Sequence, residues 1–209
     1  METNKSETIP ESSTIEKEKI QLNRSWSFWE NYETKEKVEL NYANLLKEIF
    51  KFDDIISFWQ FWNKYPGNQT QNIFYNGEYI TYFFKTKYRI NAMNFFIEGV
   101  RPEWEDEKNK NGFIFIMEFE PKTELAQFLK NVTKVWTKLI INLIGEQLPF
   151  TEKINGIRFV DKTKYGKAIF KFEVWANSSL NQDDKKTLQD YFTNNYCPST
   201  RVKQLNENK

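Results

Sequence analysis

The sequence predicts an α+β fold in which helices stack on one face of an antiparallel sheet. Runs of alternating aromatic and β-branched residues indicate strands, and the dipeptide Asn76-Gly77 is the strongest short signal for a hairpin turn. Other stretches carry apolar residues at helical spacing, which indicates amphipathic helices. Helices separated by antiparallel strands are typical of this class.

The strand candidates begin with SWSFW at 25–29, where alternation puts Trp26 and Phe28 on one face and Trp29 on the other. The remaining candidates are, in order, 42–47, parts of 73–96, 112–120, 156–160 and 168–175. The last two enclose the basic turn DKTKYGK and are expected to form a hairpin.

Three helices are expected. The apolar stripe of the first comprises Phe52, Ile55, Ile56, Trp59 and Trp62. Asp53 and Asp54 suit the N-terminus of this helix, because a carboxylate accepts hydrogen bonds from the free backbone N–H groups there. The second helix runs from Glu124 to Ile144, and the third spans about 183–194, ending before Pro198.

A single domain is expected over residues 25–205. Residues 1–24 are rich in Glu, Lys, Ser and Thr and lack aromatic residues over the first 22, so we expect a disordered tail. Residues 206–209 are expected to be a frayed C-terminus. A length of 209 residues is enough to bury a substantial core.

The composition excludes several classes of function. The chain has no His, which removes Ser-His-Asp and Cys-His catalysis and every His metal ligand. Its single cysteine, Cys197, excludes an intrachain disulfide and a Cys-cluster zinc site, and suits a reducing compartment. There is no P-loop, dinucleotide fingerprint or long apolar run. We therefore expect no cofactor, no metal, no catalysis and no membrane contact.

The loop sequence PEWEDE at 102–107 holds the first candidate site. Trp104 stands among charged residues, where core packing does not explain it, and can present an indole face. The neighbouring Glu105 is acceptor-only, so it can pair with the two adjacent donors on the Watson–Crick edge of guanine. For an isolated tryptophan, the alternative that the ring folds back onto the core would be favoured.

A cluster of cations in the hairpin is the second candidate site. Its members are Arg158, Lys162, Lys164, Lys167 and Lys171. Several cations around a short turn can hold a phosphate chain. Taken on its charges alone, the cluster is better explained as a solvated hairpin tip. For Trp59 on the first helix, the alternative is a core residue.

The order of these motifs resembles the translation initiation factor 4E family, the eukaryotic mRNA cap-binding proteins. The resemblance covers nearly everything after the tail. It rests on SWSFW at 25–29, the series Tyr42, Leu46, Ile49, Phe52, Ile55 and Trp59, PEWEDEKNKNG at 102–112, LIGE at 143–146, NG at 155–156 and VWAN at 174–177. It implies a curved antiparallel sheet with three helices on its convex face and a cap site on the concave face.

The resemblance also implies roles in cap binding. The 7-methylguanine would stack between Trp104 and Tyr42, with Asn41 the alternative if the alignment slips by one residue. Glu105 matches the base-reading carboxylate, and Trp175 matches a position near the N7 methyl group. Counting from Gly156 and from Trp175 gives different phosphate-binding lysines. Our choices are Lys162 and Lys171, with Lys167 in reserve.

On the convex face, the resemblance implies a site for a partner peptide. Ile55, Trp59 and Ile141 match the residues that grip peptides of the scaffold factor 4G and of 4E-binding repressors. Thr137 replaces the usual aliphatic residue and Lys138 the usual acidic one, so the fitting peptides should differ. A cytoplasmic monomer is expected, with the nucleus left open as a second location.

Four functions remain open from the sequence. The first is a cap-binding factor that recruits a scaffold for translation initiation. The second is a cap-binding repressor or specialised paralogue with different partners. The third is an interaction module without cap binding, and the fourth, a cap-hydrolysing enzyme, is disfavoured by the missing His. The segment between Trp59 and Trp104 is longer than the family usually has. Two roles are open for it: it could contact RNA through Lys85, Lys87 and Arg89, or it could cover apolar surface, and we prefer the second.

Overall fold

The computed structural model describes residues 20–34, 45–69, 88–163 and 167–205. Several expectations therefore lie outside the described residues. These are the tail before residue 20, Asn41 and Tyr42, the Asn76-Gly77 hairpin, Lys85 and Lys87, Lys164, and the C-terminus from residue 206.

Within the described residues, seven strands form one curved antiparallel sheet. The strands are β1 (Gln21–Thr34), β2 (Leu46–Asp54), β3 (Tyr88–Ile97), β4 (Phe113–Phe119), β5 (Ile154–Asp161), β6 (Phe170–Ala176) and β7 (Arg201–Gln204). Their order across the sheet is β2-β1-β3-β5-β6-β4-β7, and every neighbouring pair is antiparallel. The predicted α+β class is confirmed.

Three α-helices connect these strands: α1 (Ile55–Trp62), α2 (Leu125–Ile144) and α3 (Gln182–Asn195). Their buried residues, such as Phe58, Trp136 and Phe192, belong to one continuous core with the inward residues of the sheet. All three helices therefore pack on the same face, as expected. No helix among the described residues is long and apolar enough to cross a membrane.

The boundaries differ from expectation in two places. Strand β1 begins at Gln21, inside the expected tail, because Gln21 pairs with Asp54 and the Arg24 guanidinium binds Glu146 and Thr151. Strand β2 is described from Leu46, and residues 42–44 of the expected strand lie outside the described residues. Phe52, expected on the first helix, lies in β2, because Asp54 caps α1 by accepting a hydrogen bond from the Ser57 N–H at 2.8 Å.

The opposite side of the sheet, here called the second face, is small and mixed in chemistry. Cross-strand neighbours form one row of Trp29, Asn94, Arg158, Glu173 and Ile116, and a second row of Ser27, Phe96, Gly156, Trp175 and Ile114. Gly156 is required because a Cβ there would collide with the Phe96 ring. Charged groups are thus placed beside aromatic ones on the face without helices.

Candidate functional site

The loop between β3 and β4, residues 98–112, is held in one conformation by a buried asparagine. The Asn109 side-chain amide donates to the carbonyl oxygens of Arg101 and Glu103, both at 2.8 Å. The Asn155 amide in β5 donates to the Asn109 side-chain oxygen and to the Lys108 carbonyl. Both asparagines are buried, so these bonds exchange little with water and fix the loop to the sheet.

Two further contacts tie down the same loop. Asp106 accepts hydrogen bonds from the backbone N–H groups of Arg101 and Lys108, each at 2.9 Å. At the other end, a Cβ on Gly112 would collide with the Ala176 carbonyl oxygen, so only glycine permits this close approach. The loop is consequently a rigid support, although its outer residues are exposed.

Trp104 and Glu105 lie at the exposed tip of this rigid loop. The Trp104 side chain is 40% exposed, so the ring does not fold back into the core. Glu105 is exposed as well, and no hydrogen bond or ion pair of its side chain occurs among the described residues. An aromatic face and an uncommitted carboxylate are therefore presented side by side.

The start of the loop connects to the second face through a charged pair. Arg101 forms an ion pair with Glu103 at 2.6 Å, and its guanidinium lies 5.5 Å from the centroid of the Trp29 ring. Val100 packs with Trp175 and Phe96 in the apolar cluster of the second face. The loop thus belongs to the same side of the sheet as the basic residues of β5 and β6.

Glu173 is a buried carboxylate between two cations on this face. Its oxygens lie 2.6 Å from the Lys171 ammonium and 3.8 Å from the Arg158 guanidinium. Burial raises the pKa of Glu173. The charges of Arg158 and Lys171 and the hydrogen bonds that Glu173 accepts lower the pKa by more than burial raises it, so the pKa lies below its ordinary value. The group is therefore ionised at neutral pH and neutralises one of the two cations.

Trp175, matched by the resemblance to a position near the N7 methyl group, is nearly buried on the second face. Its ring packs edge-on against Phe96 at 5.6 Å between centroids and is only 4% exposed. Its indole N–H donates to Glu173 at 3.0 Å. Trp175 thus holds the Glu173 carboxylate in place, and its contact with a methyl group stays a prediction.

The other predicted lysines lie at the far end of the hairpin. Lys162 directly follows β5, and no ion pair of its ammonium occurs in the described part of the chain. Lys167 precedes β6 and forms an exposed ion pair with Glu120 at 2.8 Å. Arg89, considered above for RNA contact, is paired with Glu33 and with Asp161. Lys162 is therefore the least compensated of these cations.

The helix face carries a separate exposed apolar patch. Trp59 is 37% exposed on α1 and Ile141 is 40% exposed on α2. Ile55 is half-buried and, with Trp59 and Lys64, lines a shallow groove of about 390 Å³. The core reading of Trp59 is thereby excluded. The helices are neighbours, since Trp62 of α1 and Trp136 of α2 both contact the Phe95 ring.

Sequence reasoning missed Glu173, Asn109 and Asn155. Alternation places Lys171, Glu173 and Trp175 on one strand face, so the carboxylate between two predicted site residues was the available signal. The asparagines stand in two motifs that carry the family resemblance, but their structural role was not predicted, because their partners lie 6–8 and 46–47 residues away in the chain. Among the described residues, no three His, Cys, Asp or Glu side chains are grouped to hold a metal ion.

Known proteins are similar to this chain in sequence. A family model described as eukaryotic initiation factor 4E matches residues 21–203. The chain is 30% identical over 154 residues to a eukaryotic translation initiation factor 4E of Candida albicans, covering 73% of this chain and 64% of that protein. It is 22% identical over 176 residues to an isoform 4E of Solanum lycopersicum, covering 84% and 74%.

Two solved structures illustrate the same fold. The Caenorhabditis elegans eIF4E-3 in complex with the 4E-binding protein Mextli superposes with a TM-score of 0.66 at 18% identity, covering 88% of this chain and 93% of that one. The Ascaris suum eIF4E-3 with m7G cap gives a TM-score of 0.66 at 21% identity, covering 91% and 93%. At these identities the likeness establishes the fold.

Proposed function

Because this chain belongs to the eukaryotic initiation factor 4E family, we propose that it binds the 7-methylguanosine cap of mRNA and recruits a scaffold factor for translation initiation. The single observation that carries the proposal is the pair Trp104 and Glu105, exposed together on a loop that buried asparagines hold rigid. A solved relative from Ascaris suum is described as a complex with m7G cap. The proposed protein is a binding factor with no enzymatic step.

In the proposed complex, the base stacks on Trp104, with Tyr42 supplying the second ring. Methylation at N7 makes guanine cationic, so each aromatic face attracts it both by stacking and by its quadrupole. Stacking contributes on the order of 1–3 kcal/mol per base. Glu105 accepts hydrogen bonds from the two donors on the Watson–Crick edge of guanine, a charge-assisted pair that adenine does not offer.

The phosphate chain is proposed to run from the loop towards the basic end of the hairpin. Lys171 lies four residue steps before Trp175, a distance of roughly 13 Å along β6. Lys171 and Arg158, which Glu173 holds in place, would bind the first phosphates with their remaining positive charge, and Lys162 would meet phosphates further along. Lys167 stays in reserve, because Glu120 already compensates its charge.

A partner peptide is proposed to bind the helix face at Ile55, Trp59 and Ile141. The supporting observation is the exposure of Trp59 and Ile141 on neighbouring helices. Exposed tryptophans are enriched among the residues that dominate binding energy at interfaces. Peptides of scaffold factor 4G and of 4E-binding repressors are the proposed class, and a nematode relative is described as a complex with a 4E-binding protein.

Binding to immobilised 7-methyl-GTP tests the proposal. We expect Trp104→Ala to weaken retention by about 5- to 150-fold, which corresponds to one lost stack. Trp59→Ala is the matched control, since it removes an equally exposed tryptophan from the helix face and should leave retention unchanged. Equal retention of wild type and Trp104→Ala would refute the stacking site.

A cap-binding repressor or specialised paralogue is the second candidate function. It is favoured by Lys138, which is exposed on α2 one turn before Ile141, at a position where the family resemblance implies an acidic residue. A cation there repels basic peptides that an acidic residue would attract. Recovery of capped mRNA without any translation-stimulating activity in a depleted extract would support this alternative over the first. In either role, a cytoplasmic location is proposed.

A further inference from the structure

The solvent-facing ridge of α2 is formed by residues at three- and four-residue steps. Its members are Gln127, Asn131, Lys134, Lys138 and Ile141, all exposed. Residues at this spacing lie above one another on a helix surface. Ile141, which belongs to the proposed peptide site, is therefore continuous with Lys138 and Lys134 on one ridge.

The positive charge of this ridge is uncompensated within the part of the chain that the structure describes. Lys134 and Lys138 of the ridge are exposed, and so is the neighbouring Lys130, which lies four residues before Lys134. Helix α2 contains no Asp or Glu. None of these lysines forms an ion pair with a described residue. Like charges at this spacing destabilise a helix, so the three lysines lower the intrinsic stability of α2.

Two other contacts bear on how the ridge meets a partner. The Lys138 ammonium lies 4.9 Å from the centroid of the Tyr196 ring, a cation–π contact that restrains the side chain. Lys64, two residues after the end of α1, lines the groove beside Trp59. Cations thus lie beside both of the exposed apolar residues, Trp59 and Ile141.

Resting on the peptide site of the proposed function, we infer that this face selects an acidic partner peptide. The peptide places an apolar side chain on Trp59 and Ile141 and carboxylates opposite Lys138 and Lys134. Since these two lysines are four helical residues apart, about 6 Å, its carboxylates are spaced about one helical turn apart. Charge complementarity of this kind sets partner choice and register.

A peptide explains the surface better than a nucleic acid does. The ridge that carries Lys134 and Lys138 ends at exposed Ile141, and Trp59 is exposed on the same side of the sheet. Apolar residues bordered by charges are the anatomy of a protein interface. Nucleic acid would also be attracted by three lysines, so it is included as an outcome of the test.

The test uses the full chain and three synthetic amphipathic peptides that share tyrosine and leucine anchors. They differ only in carrying four Glu, four Gln or four Lys on the polar face. We expect the Glu peptide to bind about three- to tenfold more tightly than the Gln peptide at low salt, since two or more exposed ion pairs form, and the Lys peptide to bind most weakly. The advantage should shrink as salt is added.

Matched variants assign this order to the ridge. Lys134→Glu/Lys138→Glu should reverse the order, Lys134→Arg/Lys138→Arg should preserve it, and Trp59→Ala should weaken all three peptides. Retention on immobilised 7-methyl-GTP, measured in parallel, reports the cap site independently.

Two peptide results would overturn the inference. Equal affinities for the three peptides would remove the acid preference, and no binding of any peptide would remove the docking surface itself. Neither result would bear on the cap site, whose failure would show instead as lost retention on 7-methyl-GTP. Binding of an uncapped RNA oligonucleotide that the Lys134→Glu/Lys138→Glu variant abolishes would also overturn the inference, in favour of a nucleic-acid surface.

Discussion

Glu173 shows how a single buried carboxylate sets the charge of the proposed phosphate site. It faces both Arg158 and Lys171, so the two cations and one anion leave a net charge of about one. The pKa of Glu173 is lowered in the folded protein, so its ion pairs persist above its ordinary pKa of 4.5. Their contribution to stability is lost only as the pH falls below that value.

Replacing Glu173 tests this charge balance. Glu173→Gln leaves two cations without their partner, so we expect a less stable protein, by about 1–3 kcal/mol after allowing for partial exposure of the cations. Bound phosphates should replace the missing carboxylate. We therefore expect 7-methyl-GTP to raise the melting temperature more in the variant than in wild type, while 7-methylguanosine raises both equally. Equal gains for the nucleotide in both proteins would contradict this role.

Glu30 is another buried carboxylate, on the helix face of β1. It accepts hydrogen bonds from the hydroxyls of Tyr32 and Tyr65. Burial raises the pKa of Glu30, and the two hydrogen bonds only partly oppose the rise. A raised folded-state pKa means that its contribution to stability is fully present below the ordinary pKa and is lost as the pH rises through the raised value.

The pH dependence of stability tests this shift. Glu30→Gln cannot titrate, so the stability of wild type relative to this variant should fall as the pH rises above 4.5. Urea unfolding at several pH values from about 4 to 8 measures the difference. The highly exposed Glu107 provides the control, Glu107→Gln, which should follow wild type. A difference that is constant with pH would show that the Glu30 pKa is not raised.

At the scale of an element, the loop between β3 and β4 is ordered by contacts that are distant in sequence. The Asn109 amide closes the loop on itself, and Asn155 ties it to β5. Rigidity of this kind reduces the ordering cost that a ligand would otherwise meet on binding. We therefore expect Asn109, which orders the loop, to increase the proposed affinity for the cap.

Removing the Asn109 side chain tests that link. Asn109→Ala leaves several buried polar groups unsatisfied, so we expect a loss of about 1–3 kcal/mol in the free energy of unfolding. Cap affinity should fall as well, although Asn109 touches no ligand in the proposed complex. Asn131→Ala, on the exposed ridge of α2, is the control and should change neither quantity. Unchanged cap affinity in a destabilised Asn109→Ala protein would refute the coupling.

The elements differ in how well the sequence predicts them. Alternation correctly placed Trp26 and Phe28 on one face of β1 and Trp29 on the other, and the structure shows that the helices cover the face of Trp26 and Phe28. Alternation did not predict β7 (Arg201–Gln204), a short strand in which apolar and polar residues alternate little. This strand forms because it pairs with β4, more than eighty residues earlier. The start of α1 was misplaced because Phe52 continues the helical spacing by coincidence, whereas Asp54 fixes the boundary.

For the whole molecule, the pattern of apolar residues predicted that the sheet has a helix face and a second face, but not the detailed chemistry of either face. The helix face and the second face follow from apolar periodicity, and the exposure of Trp104, Trp59 and Ile141 agrees with their expected sites. The pairing of Lys171 with Glu173 and the burial of Trp175 depend on strand register and packing, which a single sequence does not specify. The role of Tyr42 stays a prediction.

The central claim is that a cationic purine stacks on Trp104 while Glu105 reads its edge. The most direct measurement is a titration of the full chain with 7-methyl-GTP and with GTP, following tryptophan fluorescence. We predict quenching and about 5- to 30-fold tighter binding of the methylated nucleotide, because a cation over aromatic faces gains on the order of 1–2 kcal/mol. Equal affinities for the two nucleotides, or quenching that persists in Trp104→Ala, would contradict the claim.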